Sequence, residues 1–199
     1  MKRKITIILS CILIVSLAVV IGTNITQKTK QPAEKQVVTG YPVWRAYTFE
    51  TAIEEAATIV YGKVAGKSGT LMREVVDSSG KVHKEYYKEV EVQVNDLLKA
   101  EGSPKTITYL EMGGETDTHI YKIDGFNPVN DSDEYVFFLN KYGACLSPAT
   151  VMSVDDGIVT VEKSMLPGGK VKNTTFTTIG VEEYVNKVKK HLESKDEFK

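Results

Sequence analysis

The chain has few of the residues that usually organise chemistry: of 199 residues, two are cysteine, three histidine and one tryptophan. His83, His119 and His191 stand far apart, with no His-x-x-x-His and no cysteine pair. A zinc site would therefore have to be assembled from distant loops. No Gly-x-Ser-x-Gly elbow occurs, and Cys145 has no histidine near it in sequence to activate it, which argues against acyl transfer. Basic excess is lacking too, with 25 Lys and Arg against 26 Asp and Glu. Nucleic-acid binders carry a basic patch or stripe, so no nucleic-acid partner is expected. No cofactor is implied.

Charge is also missing from the 18 residues Ile5 to Gly22, which directly follow Met1-Lys2-Arg3-Lys4. Three cations hold the N-terminus in the cytoplasm while the apolar run enters the bilayer, so everything from Thr23 on is exported. The run is about long enough to span, since roughly 20 apolar residues cover the hydrocarbon core and ~17 is the low end. A cleaved signal would show an apolar core of ~7–15 residues and a small-x-small exit, and Val20-Ile21-Gly22 is a poor one. Ile8-Leu9-Ser10-Cys11 has the residue types of a lipid-attachment site, but Cys11 comes too early in the run. The reading favoured is an uncleaved signal anchor in the cell membrane, with the N-terminus cytoplasmic, the domain extracytoplasmic and the bilayer as a partner through Ile5 to Gly22. Secretion after cleavage is the alternative.

Three parts follow: the anchor or signal at 1–22, a polar spacer at 23–40, and an extracytoplasmic domain at 41–199. Without Lys2, Arg3 and Lys4 the exported part has 22 basic against 26 acidic side chains, a net charge of −4. The spacer reads as solvated because it has no apolar period of 2 or 3.6. Beyond the membrane only Cys145 remains, so the domain can form no intrachain disulfide and must be stabilised by its core.

Within the domain, Thr48 to Ala57 reads as a short helix, with Thr51 and Glu54 at capping-box spacing. Ile59 to Val64 reads as a strand. Leu71 to Val76 and Val82 to Leu98 flank Asp77-Ser78-Ser79-Gly80 as a hairpin, and in the second arm Tyr86, Lys88, Val90, Val92 and Val94 share one face. Thr106 to Met112 and Ile120 to Ile123 are further strands. Tyr135 to Leu139 is apolar throughout, the pattern of a central strand buried on both faces. Asp155-Asp156-Gly157 between Thr150–Val154 and Ile158–Glu162 is a strong hairpin signal. Val181, Tyr184, Val185, Val188 and Leu192 recur at helical spacing. The fold class expected is mainly β: an antiparallel barrel or sandwich with a short N-terminal helix and a C-terminal amphipathic helix, behind one transmembrane helix.

Four stretches carry a family likeness: Ala57 to Val64; Val90-Glu91-Val92 running into Leu97-Leu98-Lys99; Gly113-Gly114; and Tyr135 to Leu139. Together they resemble an exported bacterial domain of the OB-like superfamily that also contains the netrin and tissue-inhibitor-of-metalloproteinase modules, over Thr48 to Val161. The resemblance implies an OB-like barrel and, carried over whole, a protease inhibitor. Inhibitors of that family use a free N-terminal cysteine on the enzyme's zinc and a set of disulfides. This chain has a membrane segment in place of the first and one exported cysteine in place of the second, so the fold is what the resemblance carries.

Candidate sites are few. Gly62-Lys63-Val64-Ala65-Gly66-Lys67-Ser68 ends like a phosphate loop but has three residues between its glycines where four are needed, and reads instead as a strand end turning through small residues. Ser78-Ser79-Gly80-Lys81 matches Ser-x-x-Lys without its partner motifs. In the cluster Glu111, Glu115, Asp117 and His119 the last three alternate, and would share one face as a metal site if the segment is extended. Asp131, Asp133 and Glu134 form a second acidic group that lacks the twelve-residue calcium-loop spacing. Aromatic platforms are the other kind of site: Trp44, beside Tyr41, Tyr47 and Phe49, and the loop-borne Tyr121, Phe126 and Tyr142. The leading expectation is a binding module for a protein or cell-wall ligand, tethered to the membrane and without a catalytic constellation. A metal-dependent enzyme or metal-binding protein at Glu115, Asp117 and His119 is the alternative, and a protease inhibitor by fold analogy is a weaker one.

Overall fold

A computed structural model describes residues 34–76, 79–171 and 175–196. The chain divides into two units, Met1–Glu34 and Lys35–Lys199, and the fold is that of the second. Ile5 to Gly22 lies outside the described residues. Among those that are described, no helix is long and apolar enough to cross a membrane.

Among the described residues, ten strands and two α-helices run in the order β1 (Gln36–Gly40), α1 (Phe49–Glu55), β2 (Thr58–Val76), β3 (Val82–Lys99), β4 (Thr106–Met112), β5 (Gly114–Glu115), β6 (His119–Ile123), β7 (Glu134–Leu139), β8 (Val151–Asp155), β9 (Ile158–Glu162), β10 (Phe176–Gly180) and α2 (Val181–Asp196). Seven strands form one sheet in the order β10-β9-β8-β7-β2-β3-β4, every neighbouring pair antiparallel. A small second sheet has the order β1-β6-β5, with β1 parallel to β6. The fold is mainly β as the pattern implies, but the sheet does not close into a barrel. Single bridges from Leu110 to Ala144 and from Leu139 to Cys145 carry the 143–145 turn from the β4 edge back to β7. The sheet therefore curls around its contents without a continuous ladder.

Strand β7 lies at the centre, and Tyr135 to Leu139 is buried throughout. Because side chains alternate along a strand, it divides its residues between two cores. Val136 and Phe138 join one with Phe49, Ile53, Val159, Tyr184 and Val188, where α1 and α2 cover the sheet. Tyr135, Phe137 and Leu139 join Val60, Val90, Val92, Tyr109 and Cys145 inside the curl. The α2 stripe buries as its period requires, and the Tyr184 hydroxyl donates to the Met165 carbonyl at 3.0 Å. The β8–β9 turn has positive φ at Asp156 (47°) and Gly157 (75°), the geometry a two-residue primed turn needs.

Three local expectations differ from the structure. The helix cap is one turn earlier: Thr48 accepts from Thr51 N–H at 3.3 Å while Thr51 Oγ1 accepts from Thr48 N–H at 2.9 Å. Phe49 is thereby the first helical residue and is buried. Second, Gln36–Gly40 of the presumed spacer forms β1, whose pairing with β6 supplies hydrogen bonds that no apolar period announces. Third, Gly62 to Ser68 is not a strand end. β2 continues through it to Val76, with register shifts at Tyr61/Gly62, Val64/Gly66 and Lys67/Thr70. Gly62 is needed for close approach, because a Cβ there would lie 2.5 Å from the Gln93 carbonyl oxygen.

Candidate functional site

β2 and β3 are far longer than the strands on either side of them, β7 and β4. β2 pairs with β7 only from Thr58 to Lys63, and β3 pairs with β4 only from Tyr87 to Gln93. Met72 to Val76 and Val82 to Tyr86 therefore pair only with each other in the large sheet and project as a two-stranded arm. Cross-strand partners share a face. One face carries Leu71, Arg73, Val75 and Tyr87, with Arg73 5.8 Å over the Tyr87 ring. The other carries Met72 and Tyr86, the charged pair Glu74 and Lys84, and Val76 and Val82. Val76 is 63 % exposed, and Leu71, Met72, Val75 and Val82 are also exposed. The exposed apolar side chains of both faces are interleaved with the charged pairs Arg73–Glu85 and Glu74–Lys84.

The small sheet docks at the base of this arm. Tyr121 of β6 stacks on Tyr86 with ring centroids 3.6 Å apart and planes at 12°, and His119 lies 5.8 Å from Tyr121. The Glu115 backbone N–H donates to Thr70 Oγ1 of β2 at 2.6 Å. That approach requires Gly113 and Gly114, both at positive φ, where a Cβ would meet the Tyr121 carbonyl and the Thr70 side chain.

Beside the stack opens a groove of about 430 Å³ lined by Lys88, Glu111, Glu115, Tyr121, Phe126 and Pro128. Glu111, one of its lining residues, belongs to a buried ion pair. Lys67 Nζ lies 3.2 and 3.3 Å from the two oxygens of Glu111, whose side chain is 2 % exposed. The pair grips one residue of the 124–133 loop from both sides: Glu111 Oε2 accepts the Val129 N–H at 2.7 Å and Lys67 donates to the Val129 carbonyl. The loop is thereby folded back, placing Phe126 and Val129 in the core within the curl.

Of the expected site residues, Glu115, Tyr121 and Phe126 meet in this groove. Glu115, Asp117 and His119 do not lie along one extended face, because the chain turns between them. Thr116 N–H donates to the His119 carbonyl at 2.8 Å, and His119 N–H to Thr116 Oγ1 at 3.1 Å. Lys35 Nζ sits 2.6 Å from Glu115 Oε1 and holds that carboxyl below its ordinary range. Thr118 Oγ1 is 2.7 Å from His119 Nδ1. Among the described residues, no three His, Cys, Asp or Glu side chains are grouped to hold a metal ion. In the second acidic group, Asp133 accepts from the Asn130 side chain at 3.0 Å, and Glu134 from Asn95 at 3.1 Å and from Tyr61.

Trp44 lies elsewhere, in a cleft of about 340 Å³ with Tyr47, Ser147, Glu162 and Ser164. Tyr142 stands apart on the 140–143 turn, 69 % exposed, with Lys141 Nζ 5.1 Å from its ring centre. Cys145 is buried inside the curl, and burial pushes its thiol up to about 11, the opposite of an activated nucleophile. Tyr86 and Lys88 are not site candidates from sequence, where Glu111 and Lys67 enter only in an acidic cluster and a loop motif that do not contain each other. Alternation placed Tyr86 and Lys88 on one strand face, yet nothing in the sequence pairs Lys67 with an acid 44 residues away.

No protein family, curated protein or solved structure matches the chain.

Proposed function

We propose that the chain is a membrane-tethered extracytoplasmic binding module, and that its binding face is the β2–β3 arm together with the groove at its base. The tether reading rests on the sequence, on Ile5 to Gly22 behind three cations and the polar stretch that follows. One observation carries the binding reading. Tyr121 both lines the groove and stacks on Tyr86, which stands opposite Met72, so the groove and the exposed apolar side chains of the arm join at the arm's base. Aromatic and Met side chains are enriched at interaction surfaces. The Lys67–Glu111 clasp ties down, through Val129, the loop that brings Phe126 and Pro128 to the groove.

The test is affinity capture of the full-length chain from solubilised membranes, wild type against Val76→Glu and Tyr121→Ala. Val76 is solvent-facing, so its substitution leaves the core intact. A protein or wall component captured by the wild type and lost from both variants supports the reading. Identical capture by all three contradicts it.

A further inference from the structure

The small sheet ends in an uncovered strand. β1 lies at its margin and pairs with β6 on one side; among the described residues no strand pairs with its other side. Gln36 N–H donates to the Thr118 carbonyl and Asp124 N–H to the Gly40 carbonyl, both at 2.9 Å. In a parallel ladder alternate residues bond to the neighbour, so Gln36, Val38 and Gly40 face β6 while Val37 and Thr39 turn their N–H and C=O groups outward. The side chains are open as well: Val37 is 56 % and Val38 43 % exposed, and Gln36 and Thr39 are exposed. Edge strands are ordinarily protected by a charge, a proline, a bulge or a covering segment. Gln36-Val37-Val38-Thr39-Gly40 has no charge and no proline, and its register with β6 runs without a shift.

Such an edge accepts another extended strand. β1 itself fits: an antiparallel pair of two copies with its two-fold axis at Val38 sets Gln36 opposite Gly40 and Val37 opposite Thr39, so the whole strand is matched. In that register the outward-turned Val37 and Thr39 form the hydrogen-bonded pairs. The two Val38 residues meet at the axis as a non-hydrogen-bonded pair, with Cα atoms about 4.5 Å apart. The chain that precedes β1 favours a second copy over a free peptide. Residues 23–35 separate the strand from Gly22 and reach at most about 45 Å when fully extended. On the tether reading, this leash keeps every copy of β1 in one layer beside the bilayer and raises their mutual concentration, which makes a small interface effective. The axis stands perpendicular to the sheet, so both leashes can descend to the same membrane.

We propose that β1 is a self-association edge that pairs antiparallel with β1 of a second copy about a two-fold axis at Val38, joining two three-stranded sheets into one. The inference rests on the tether reading and goes beyond the binding face, since each assembly then carries two arms and two grooves.

The test uses the full-length chain in membranes of the cells that express it. Val38→Cys is placed in a Cys11→Ala background, Cys145 being buried, and the membranes are oxidised with copper phenanthroline. The expected result is a disulfide-linked dimer, because Cα atoms about 4.5 Å apart lie within disulfide range. Gln36→Cys should give none, since its two copies stand roughly 13 Å apart along the pair. Thr39→Pro added to Val38→Cys removes an outward N–H, leaves the β6 ladder intact and should abolish the crosslink. A charge exchange tests the same register without proline. Differently tagged wild-type chains should co-purify, separate when both carry Val38→Lys or both carry Val38→Glu, and co-purify again when one carries each, because like charges directly opposite repel and unlike charges attract. No dimer from Val38→Cys, an equal dimer from Gln36→Cys, co-purification indifferent to the charge at 38, or a crosslink to a different protein overturns the inference. Carbonate extraction separates this pairing from the tether. Chain that stays in the membrane without crosslinking contradicts the pairing alone. Chain released by carbonate that still crosslinks through position 38 contradicts the tether and keeps the pairing.

Discussion

Lys67 of β2 and Glu111 of β4 form an ion pair across the intervening strand β3, with Nζ 3.2 Å from Oε1 and the carboxylate almost wholly buried. Each partner also holds one polar group of Val129. Removing one member of a buried pair strands the other and costs about 3–5 kcal/mol. The Lys67 side chain is 17 % exposed, which puts this pair at the lower end. Lys67→Met and Glu111→Gln are each expected to cost about 3 kcal/mol, or roughly 6–12 °C in Tm for a domain of this size. The double variant should lose less than the sum of the two, measured by thermal unfolding of all three variants and the wild type.

Gly62 and Gly66 separate packing from loop chemistry in the stretch that resembles a phosphate loop. Alanine at 62 would drive its Cβ to 2.5 Å from the Gln93 oxygen and 2.7 Å from Val92 Cγ1, whereas alanine at 66 meets nothing within 4 Å. Gly62→Ala is expected to destabilise by about 1–3 kcal/mol. Gly66→Ala should stay within about 0.5 kcal/mol of wild type. Equal effects in urea unfolding would remove the packing explanation.

The Tyr86–Tyr121 stack joins the arm to the small sheet. Aromatic pairs contribute about 0.5–1.5 kcal/mol beyond the area they bury. A double-mutant cycle with Tyr86→Ala and Tyr121→Ala should return a coupling in that range, and a coupling of zero would show that the two sheets are held together elsewhere.

Alkaline pH should unfold this domain. Burial raises the Cys145 thiol from 9.0 to about 11 and raises the hydroxyls of Tyr109 and Tyr184 above their ordinary 10.0. The unfolded chain releases these protons first, so the stability they contribute is fully present below pH 9 and is lost as pH rises. Each such proton gives a slope of about 1.4 kcal/mol per pH unit. Cys145→Ala is expected to flatten the pH dependence of denaturant unfolding between pH 9 and 11, whatever it does to stability at neutral pH.

Local patterns in the sequence were enough to locate some elements. The unbroken apolar run at Tyr135–Leu139 marks the central strand because both faces are covered, and Asp156-Gly157 marks a hairpin because the turn needs positive φ twice. The α2 stripe likewise follows from helical period alone. Continuity of β2 was hidden, since Gly62, Gly66 and Gly69 interrupt its alternation and its bulges absorb the mismatch. The alternating Glu115, Asp117 and His119 suggested one face, but a turn at Thr116–His119 breaks the extension that face requires. Tyr121 and Phe126 come together only because Lys67 and Glu111 fold the 124–133 loop back, a long-range relation between charges that spacing does not encode.

The most direct measurement is site-specific photocrosslinking in intact cells, with the probe at Val76 on the arm or at Lys190 on the exposed side of α2. A binding face at the arm predicts a discrete crosslinked product from position 76, lost when Tyr121→Ala is added, and none from position 190. Equal products from both positions, or a product from 190 alone, would contradict it.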